Sequence, residues 1–149
     1  MDSIIIYTDG GCRGNPGPGG WAYIIKAEKI EKSRSGGEAF TTNNKMELTA
    51  VIRSLEAVLK DSELTERSIE LYTDSQYVKN GISTWIKNWI RNGWMTAAKK
   101  PVKNKELWIE LKAVSDQLDV KWKWVKGHAG DPLNEACDSM VNEEMSKIQ

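Results

Sequence analysis

The sequence Tyr-Thr-Asp occurs twice, and each copy ends an apolar run rich in β-branched residues. The first copy lies in IIIYTDGG at residues 4–11, and the second lies in IELYTDSQ at residues 69–76. Such runs are typical of buried strands, and parallel strands bring their carboxyl ends to the same edge of a sheet. If the two strands are parallel neighbours, Asp9 and Asp74 lie side by side at that edge. Alternation places each of them on the face of the tyrosine two residues earlier.

The patterns around these runs predict a mixed α/β fold with five strands. Short connections favour an antiparallel meander for the first three strands, and helical crossovers make the last two strands parallel to the first. The segment GGCRGNPGPGG is predicted to be a turn, and SGG to be a break or bulge in the third strand. The predicted strands cover residues 3–9, 21–28, 31–40, 68–73 and 120–127.

Helices are predicted between the later strands and at the end of the chain. The first covers TTNNKMELTAVIRSLEAVLK, where apolar residues recur at the 3.6-residue spacing, and Thr41, Thr42 or Asn43 is its cap. Two short helical segments are predicted to divide at Gly81, and KELWIELKAVSDQL is predicted to be amphipathic. The last helix has Asp131 as its N-cap and Pro132 as its first residue.

The composition fits a single domain over residues 1–149, with 40% hydrophobic and 28% charged residues. The beginning of the chain lacks the basic start of a signal peptide, and no apolar run reaches the length of a membrane span. The two cysteines, Cys12 and Cys137, lie far apart without metal-binding spacing. We therefore expect both thiols to be reduced and the protein to be cytoplasmic, with no membrane partner.

The net charge is zero, but the charges are unevenly distributed. No acidic residue lies between Asp74 and Glu106, and this stretch also carries Trp85, Trp89 and Trp94. A basic patch with aromatic residues is typical of a nucleic-acid contact surface. The bases of the stretch are Lys79, Lys87, Arg91, Lys99, Lys100, Lys103 and Lys105.

Two further acids are placed to join Asp9 and Asp74. Glu47 extends the apolar stripe of the first long helix by one turn, and Asp138 flanks the stripe of the last helix. Two carboxylates about 4 Å apart repel by roughly 4 kcal/mol at an effective dielectric near 20, and His128 is the one cation that we expect nearby. A divalent cation relieves this repulsion, and carboxylate ligands suit Mg²⁺ or Mn²⁺ rather than Zn²⁺. Two such ions catalyse phosphoryl transfer.

Each of these residues alone also has an ordinary structural explanation. An aspartate at a strand end is commonly a turn or cap residue, and Glu47 complements the dipole of its helix. Asp138 suits a solvated helix surface, and His128 alone is commonly a solvated or hydrogen-bonded imidazole. Only the convergence of the four acids indicates a metal site, and that convergence depends on the predicted topology.

Six motifs occur in an order that resembles type 1 ribonuclease H, in its bacterial single-domain form. They are YTDGGCRGNPGPGGWA, TTNNKMEL, TDSQYV, GISTWIKNWIRNGW, KKPVKNKELW and WVKGHAGDPLNEACD. The resemblance covers essentially the whole chain and implies the ribonuclease H-like fold, a five-stranded mixed sheet with helices on both faces. It implies a monomer that cleaves the RNA strand of RNA–DNA hybrids with two Mg²⁺ ions, for which Mn²⁺ substitutes. The implied products carry 5′-phosphate and 3′-hydroxyl ends, and we expect no hybrid-binding module before the first strand.

The resemblance also implies roles for individual residues. The catalytic acids and metal ligands are Asp9, Glu47, Asp74 and Asp138, and His128 lies on a loop beside the metals, where it assists proton transfer or product release. The residues implied to contact the hybrid are Asn15, Thr42, Asn43, Gln76, Trp85, Lys87, Trp89, Arg91, Lys99, Lys100 and Asn104.

These contacts divide between the two strands of the hybrid. Asn15, Asn43 and Gln76 correspond to contacts with the backbone and minor groove, where 2′-hydroxyls distinguish RNA from DNA. Thr42 and Asn104 correspond to a pocket for a DNA phosphate. The two tryptophans and the bases correspond to a basic protrusion on the DNA strand, with Trp108 packed beneath it. The i, i+4 spacing of Trp85 and Trp89 is equally typical of core residues.

The sequence departs from the family pattern at several positions. Phe40 replaces an arginine that many relatives carry near the phosphate pocket, so we expect weaker phosphate binding there. Cys137 precedes Asp138 where a smaller residue is frequent, and we expect a buried structural thiol. We also expect Asp131 to lie close to His128 and to favour its charged form.

Two other functions are compatible with these residues. The first is an inactive hybrid-binding module. Loss of any of the four acids would favour this function, and none is lost. A polynucleotidyl transferase of the integrase or resolvase type shares the fold and the acids. The contexts GNPGPGG and WVKGHAG fit the ribonuclease better.

Overall fold

Strand β1 (Ile4–Cys12) is the central strand of a five-stranded mixed sheet in the computed structural model, which describes residues 3–125 and 131–148. The other strands are β2 (Gly17–Ala27), β3 (Ile30–Thr41), β4 (Ile69–Thr73) and β5 (Val120–Trp124). Their order is β3-β2-β1-β4-β5. Strands β1 to β3 form an antiparallel meander, and β4 and β5 run parallel to β1. The predicted topology is therefore confirmed.

Helices cover both faces of the sheet. They are α1 (Asn43–Leu59), α2 (Gln76–Asn80), α3 (Ile86–Arg91), α4 (Lys105–Ser115) and α5 (Pro132–Ile148), with a π-helical turn at Gly81–Trp85. Ile4 and Ile6 of β1 pack in the larger core beneath α1 and α4, whereas Tyr7 packs in a smaller core against α5. None of the helices in the described part of the chain is long and apolar enough to cross a membrane.

Two predicted helix caps are confirmed. Thr42 Oγ1 accepts a hydrogen bond from the main-chain N–H of Lys45 at 3.3 Å, which caps α1. Asp131 Oδ1 accepts one from the N–H of Leu133 at 3.0 Å, and α5 begins at Pro132 as predicted. These caps fix the first turn of both helices.

The segment GGCRGNPGPGG is mostly strand, which corrects the prediction of a turn. Its first three residues complete β1, and Gly17–Gly20 begin β2. A Cβ on Gly10 would collide with the main chain of Met46 and Glu47. Glycine at this position therefore lets α1 lie directly against β1. Strands are predicted from the alternation of apolar and polar side chains, and the glycines of this segment provide no such alternation.

The predicted break at SGG is also wrong. Ser35–Gly37 pair with β2 without interruption, and the register shift lies between Gly17 and Gly19 instead. The Trp21 ring crosses over Gly36, where a Cβ would collide with the indole. The glycine therefore makes room for a neighbouring side chain and does not interrupt the strand.

The helical segment after β4 continues through Gly81, so the predicted division there is wrong as well. Gly81 has helical dihedral angles, φ −61° and ψ −49°. A Cβ at this position would collide with the indole ring of Trp108 in α4, which is fully buried. Gly81 therefore allows the helical segment to pack closely on Trp108.

Replacing Gly81 with Ala is expected to lower the free energy of unfolding by about 1–3 kcal/mol, because the added methyl group displaces the Trp108 ring. Chemical denaturation followed by tryptophan fluorescence measures the change. Ser83→Ala, at an exposed position of the same segment, is the control and should change the value by less than about 0.5 kcal/mol. A Gly81→Ala variant as stable as the wild type would contradict the packing role of this glycine.

Candidate active site

Four acids from four separate parts of the chain line one cavity of about 480 Å³ at the carboxyl edge of β1, hereafter the carboxylate cavity. Asp9 lies in β1, Glu47 in α1, Asp74 directly after β4 and Asp138 in α5. The sheet order makes β1 and β4 parallel neighbours, as the sequence predicts. The structure therefore brings together the four acids that the sequence analysis singled out.

Asp9 is the most enclosed of these acids, with 8% of its surface exposed. The main-chain N–H of Gly10 donates to its Oδ1 at 3.0 Å. Burial raises the pKa of Asp9 to about 8, and the negative charges of Asp74, Asp138 and Glu47 act in the same direction. The proton is held more tightly because the charged form is poorly solvated and is repelled by its neighbours.

Glu47 has a similar electrostatic environment. Burial raises its pKa to about 7, against a hydrogen bond with Ser75 that favours the charged form. Asn43 Nδ2 donates to Glu47 Oε1 at 3.2 Å, and the N–H of Asn43 donates to Asn15 Oδ1 at 2.9 Å. Asn43 therefore contacts a carboxylate of the cavity directly, and Asn15, the other predicted hybrid contact, is linked to it through Asn43.

Two residues of the cavity were missed by the sequence analysis. Asn142 Nδ2 donates to the side chain of Asp138 at 3.3 Å and to its main-chain oxygen at 3.0 Å. The i, i+4 spacing of this pair was the available signal. Arg13 also lines the cavity, which corrects the expectation that His128 is the only cation nearby. Arg13 follows β1 in a turn, where no periodic pattern indicates the direction of a side chain.

The donor set of the cavity fits a hard divalent cation. All four acids offer oxygen ligands, which Mg²⁺ and Mn²⁺ prefer. Burial and then the neighbouring carboxylates raise the pKa of Asp9, and a cation would offset both effects. Within residues 3–125 and 131–148, no three acidic, histidine or cysteine side chains already have a metal-binding arrangement. The carboxylates would therefore have to move closer together around an ion.

His128 lies outside the described residues, so its expected place beside the acids and near Asp131 stays a prediction. Asp131 itself accepts a hydrogen bond from the hydroxyl of Tyr7 at 2.5 Å, and this bond holds the pKa of Asp131 below its usual value.

Cys137 is fully buried, and its thiol donates to the main-chain oxygen of Tyr7 at 3.5 Å. Burial raises the pKa of this thiol to about 12, which confirms the expected buried thiol.

A second cavity of about 410 Å³ brings together three of the predicted hybrid contacts, Asn15, Thr42 and Asn104. Lys45 and Lys103 also line it, and we call it the lysine cavity. Phe40 is not among the lining residues and is 76% exposed. A neighbouring cavity of about 600 Å³ shares Lys45 and Asn104, but Glu38 and Glu106 give it mixed charge.

The tryptophans of the basic stretch form an aromatic cluster that includes the buried Trp108. Trp85 and Trp89 are half-buried, and the Trp89 ring lies 5.3 Å from that of Trp108 between ring centroids. Tyr77 Oη accepts hydrogen bonds from Trp108 Nε1 at 3.0 Å and from Asn104 Nδ2 at 3.1 Å. The aromatic cluster is therefore joined to the lysine cavity, and Trp108 packs beneath the helix as expected.

The remaining predicted hybrid contacts are exposed. Gln76 is the first residue of α2, close in sequence to Asp74. The bases carry their charges on the outer surface of α3 and of the following loop, so they are accessible to a polyanion. These exposed bases are Lys87, Arg91, Lys99 and Lys100.

Comparison with known proteins places this architecture in a family. The RNase H family model matches residues 1–146 of the chain. The ribonuclease H of Rhodopseudomonas palustris (strain BisB5) is 54% identical over 147 residues, which cover 99% of this chain and 95% of that protein. The ribonuclease H of Hydrogenovibrio crunogenus (strain DSM 25203 / XCL-2) is 51% identical over 148 residues, which cover 99% of each protein.

Solved structures with the same fold carry related names. LC9-RNase H1, a type 1 RNase H with the type 2 active-site motif, is 26% identical with a TM-score of 0.87, over 100% of this chain and 75% of that one. LC11-RNase H1, solved in complex with an RNA/DNA hybrid, is 27% identical with a TM-score of 0.73, over 97% of this chain and 98% of that one. On the family match, these relatives and its fold, the chain belongs to the RNase H family of nucleases.

Proposed function

We propose that this protein hydrolyses the RNA strand of RNA–DNA hybrids in a reaction that depends on divalent metal ions. The observation that carries this proposal is the convergence of Asp9, Glu47, Asp74 and Asp138 on one cavity. Relatives that are 51–54% identical and named ribonuclease H support the reaction. The hybrid bound by LC11-RNase H1 supports the substrate. The products would carry 5′-phosphate and 3′-hydroxyl ends, and the catalytic domain would cover residues 1–149.

The four acids would hold two Mg²⁺ ions, or Mn²⁺ in their place. Bound there, the ions would neutralise the carboxylates and stabilise the attacking and leaving oxygens of the displacement at phosphorus. The chain supplies the orientation of these ligands. The N–H of Gly10 holds Asp9, Asn43 holds Glu47, and Asn142 holds Asp138. His128 would assist proton transfer or product release.

Neutral polar side chains next to the carboxylates would recognise the RNA strand. Asn43 contacts both Asn15 and Glu47, so this part of the surface is fixed relative to the reacting phosphate. Amide groups both donate and accept hydrogen bonds, which suits the 2′-hydroxyls exposed in the minor groove of an A-form-like duplex. Gln76 would extend these contacts from the start of α2.

The lysine cavity would bind a phosphate of the DNA strand. Thr42 Oγ1 already caps α1, and Asn104 Nδ2 already donates to Tyr77. Lys45 and Lys103 would therefore supply the positive charge of this site, since position 40 carries an exposed phenylalanine. An ammonium group binds a phosphate as a point charge.

The aromatic cluster and the exposed bases would bind the DNA strand beyond this phosphate. Trp89 packs against Trp108 and Trp85 packs against Trp89, and both leave part of their rings accessible, so deoxyribose can pack on them. Lys87, Arg91, Lys99 and Lys100 would add affinity through released counterions. A monomer in the cytoplasm remains our prediction from the sequence.

Asp9→Asn is expected to lower kcat for hybrid cleavage by at least about 10³-fold while the protein remains folded, because one metal ligand loses its charge. A gel assay with a labelled RNA strand, in Mg²⁺ and in Mn²⁺, measures the loss, and circular dichroism checks the fold. Glu66→Gln, an exposed acid in the loop before β4, is the matched control. If Asp9→Asn cleaves the hybrid at the wild-type rate, the proposed site is wrong. If the wild-type protein binds the hybrid but does not cleave it, an inactive binding module is favoured.

The stability of the same variant in a chelator should depend on pH. The pKa of Asp9 is about 8 in the folded protein against its ordinary value of 3.8, so the folded state binds more protons between these values. Wild-type stability therefore falls as the pH rises through this window, and Asp9→Asn avoids that loss. Thermal unfolding should give a variant more stable by about 2 kcal/mol near pH 8, with a smaller gap near pH 4.5. An equal gap at both pH values would contradict this interpretation.

Lys99→Ala combined with Lys100→Ala should raise KM and reduce the slope of log affinity against log salt by about 1–2, with little change in kcat. Hybrid affinity measured across a salt series gives the slope. Lys26→Ala with Lys29→Ala is the control pair, because Lys26 lies at the opposite edge of the sheet from the carboxylate cavity. An unchanged slope would remove these lysines from the hybrid-binding surface.

A further inference from the structure

Tyr7 is held by α5 at both its side chain and its main chain. It lies in β1 with 8% of its surface exposed, and its hydroxyl donates to Asp131 Oδ2 at 2.5 Å across 124 residues of sequence. Its main-chain oxygen accepts the hydrogen bond from Cys137 Sγ at 3.5 Å. Asp131 and Cys137 lie at the start and in the second turn of α5, so two points of the helix are fixed to one residue of the strand.

The carboxylate of Asp131 serves two partners. Its Oδ1 caps α5 through the N–H of Leu133 at 3.0 Å, while its Oδ2 accepts the Tyr7 hydroxyl. The main-chain oxygen of Asp131 also accepts the N–H of Glu135 at 3.0 Å. The residue that starts α5 is therefore the residue that attaches the helix to β1.

Tyr7 also joins β1 to β4. The two Tyr-Thr-Asp segments align in register, with Tyr7 opposite Tyr72. Their rings stack with centroids 4.8 Å apart and planes 8° apart. Tyr7 thus contacts β4 through its ring and α5 through its hydroxyl and main chain. Each of these three elements carries or directly precedes one acid of the carboxylate cavity, Asp9, Asp74 or Asp138.

We propose that Tyr7 and Asp131 are positioning residues that set the place of Asp138 relative to Asp9 and Asp74. This proposal rests on the proposed function, because it assigns those acids to metal binding. Asp138 follows Asp131 by seven residues, or about 10 Å along the helix axis, so a shift of the first turn moves the ligand. Mutation of a group that orients a metal ligand from outside the coordination sphere commonly lowers metal affinity or activity by about 10–100-fold.

Packing alone does not require the hydroxyl. A phenylalanine at position 7 would fill the same core and keep the stack with Tyr72, so Tyr7→Phe removes the hydrogen bond and little else. Asp131→Ser keeps a residue that caps helices well but is too short to reach the hydroxyl. Tyr72→Phe is the matched control, because the Tyr72 hydroxyl contacts Glu70 of its own strand at 3.3 Å and not α5.

The test measures Mg²⁺ binding by calorimetry without substrate, and kcat and KM on a hybrid, for the wild type and these variants. Tyr7→Phe and Asp131→Ser should each weaken Mg²⁺ binding and lower kcat by about tenfold, with KM nearly unchanged and the protein folded. Because both remove the same bond, the double variant should lose no more than either single variant. Asp131→Asn, which can donate from Nδ2 to the Tyr7 oxygen, should recover part of the loss.

The proposal is overturned if Tyr7→Phe binds Mg²⁺ and turns over like Tyr72→Phe, or if the two single effects multiply in the double variant. The wild type decides the proposed function separately. If it binds Mg²⁺ but cleaves no hybrid, the reaction is wrong, and the Mg²⁺ affinities of the variants still decide the role of the bond. If it binds no Mg²⁺, both proposals are wrong.

Discussion

Burial of Asp9 and Glu47, together with repulsion from the neighbouring carboxylates, is the unfavourable contribution that the rest of the structure must offset. Asp9 has its pKa raised to about 8 and Glu47 to about 7, so ionising both opposes folding in the absence of a cation. The opposing contributions are the apolar cores on the two faces of the sheet. Parallel pairing of β1 with β4, and the close approach of α1 at Gly10, leave these side chains little freedom to separate. The chain thus holds a destabilised cluster of charge at the place where a cation would bind.

The substrate-facing surfaces depend on the same rigid centre. Tyr77 accepts hydrogen bonds from both Asn104 and Trp108, and Trp108 supports the ring of Trp89. One buried indole therefore connects the lysine cavity to the aromatic surface of the basic stretch. The protein would therefore hold the surfaces that bind the DNA strand at a fixed distance from the carboxylates when a duplex is bound. Preorganisation of this kind lowers the entropic cost of orienting the substrate.

The sequence predicted the topology and the four acids because both follow from strong local patterns. Two apolar strands that end in Tyr-Thr-Asp, with a helical crossover between them, leave little choice of arrangement. The wrong predictions of secondary structure lie where a glycine makes room for a neighbouring element. The spacing of apolar residues does not detect this role of glycine. The patterns around Gly10 and Gly81 predict a turn and a helix break, whereas each glycine makes room for a neighbouring helix or side chain. Arg13 and the bond from Tyr7 to Asp131 depend on side-chain directions that only the folded chain defines.

The most direct measurement compares three duplexes in Mg²⁺ that share one sequence: an RNA–DNA hybrid, an RNA duplex and a DNA duplex, each with one labelled strand. We predict cleavage of the RNA strand of the hybrid alone, at internal positions, with a 5′-phosphate on the downstream product. Cleavage of the DNA duplex would instead indicate a polynucleotidyl transferase that uses the same acids. No cleavage of any duplex by folded protein, in Mg²⁺ or Mn²⁺, would contradict the central claim that the carboxylate cavity is an active site.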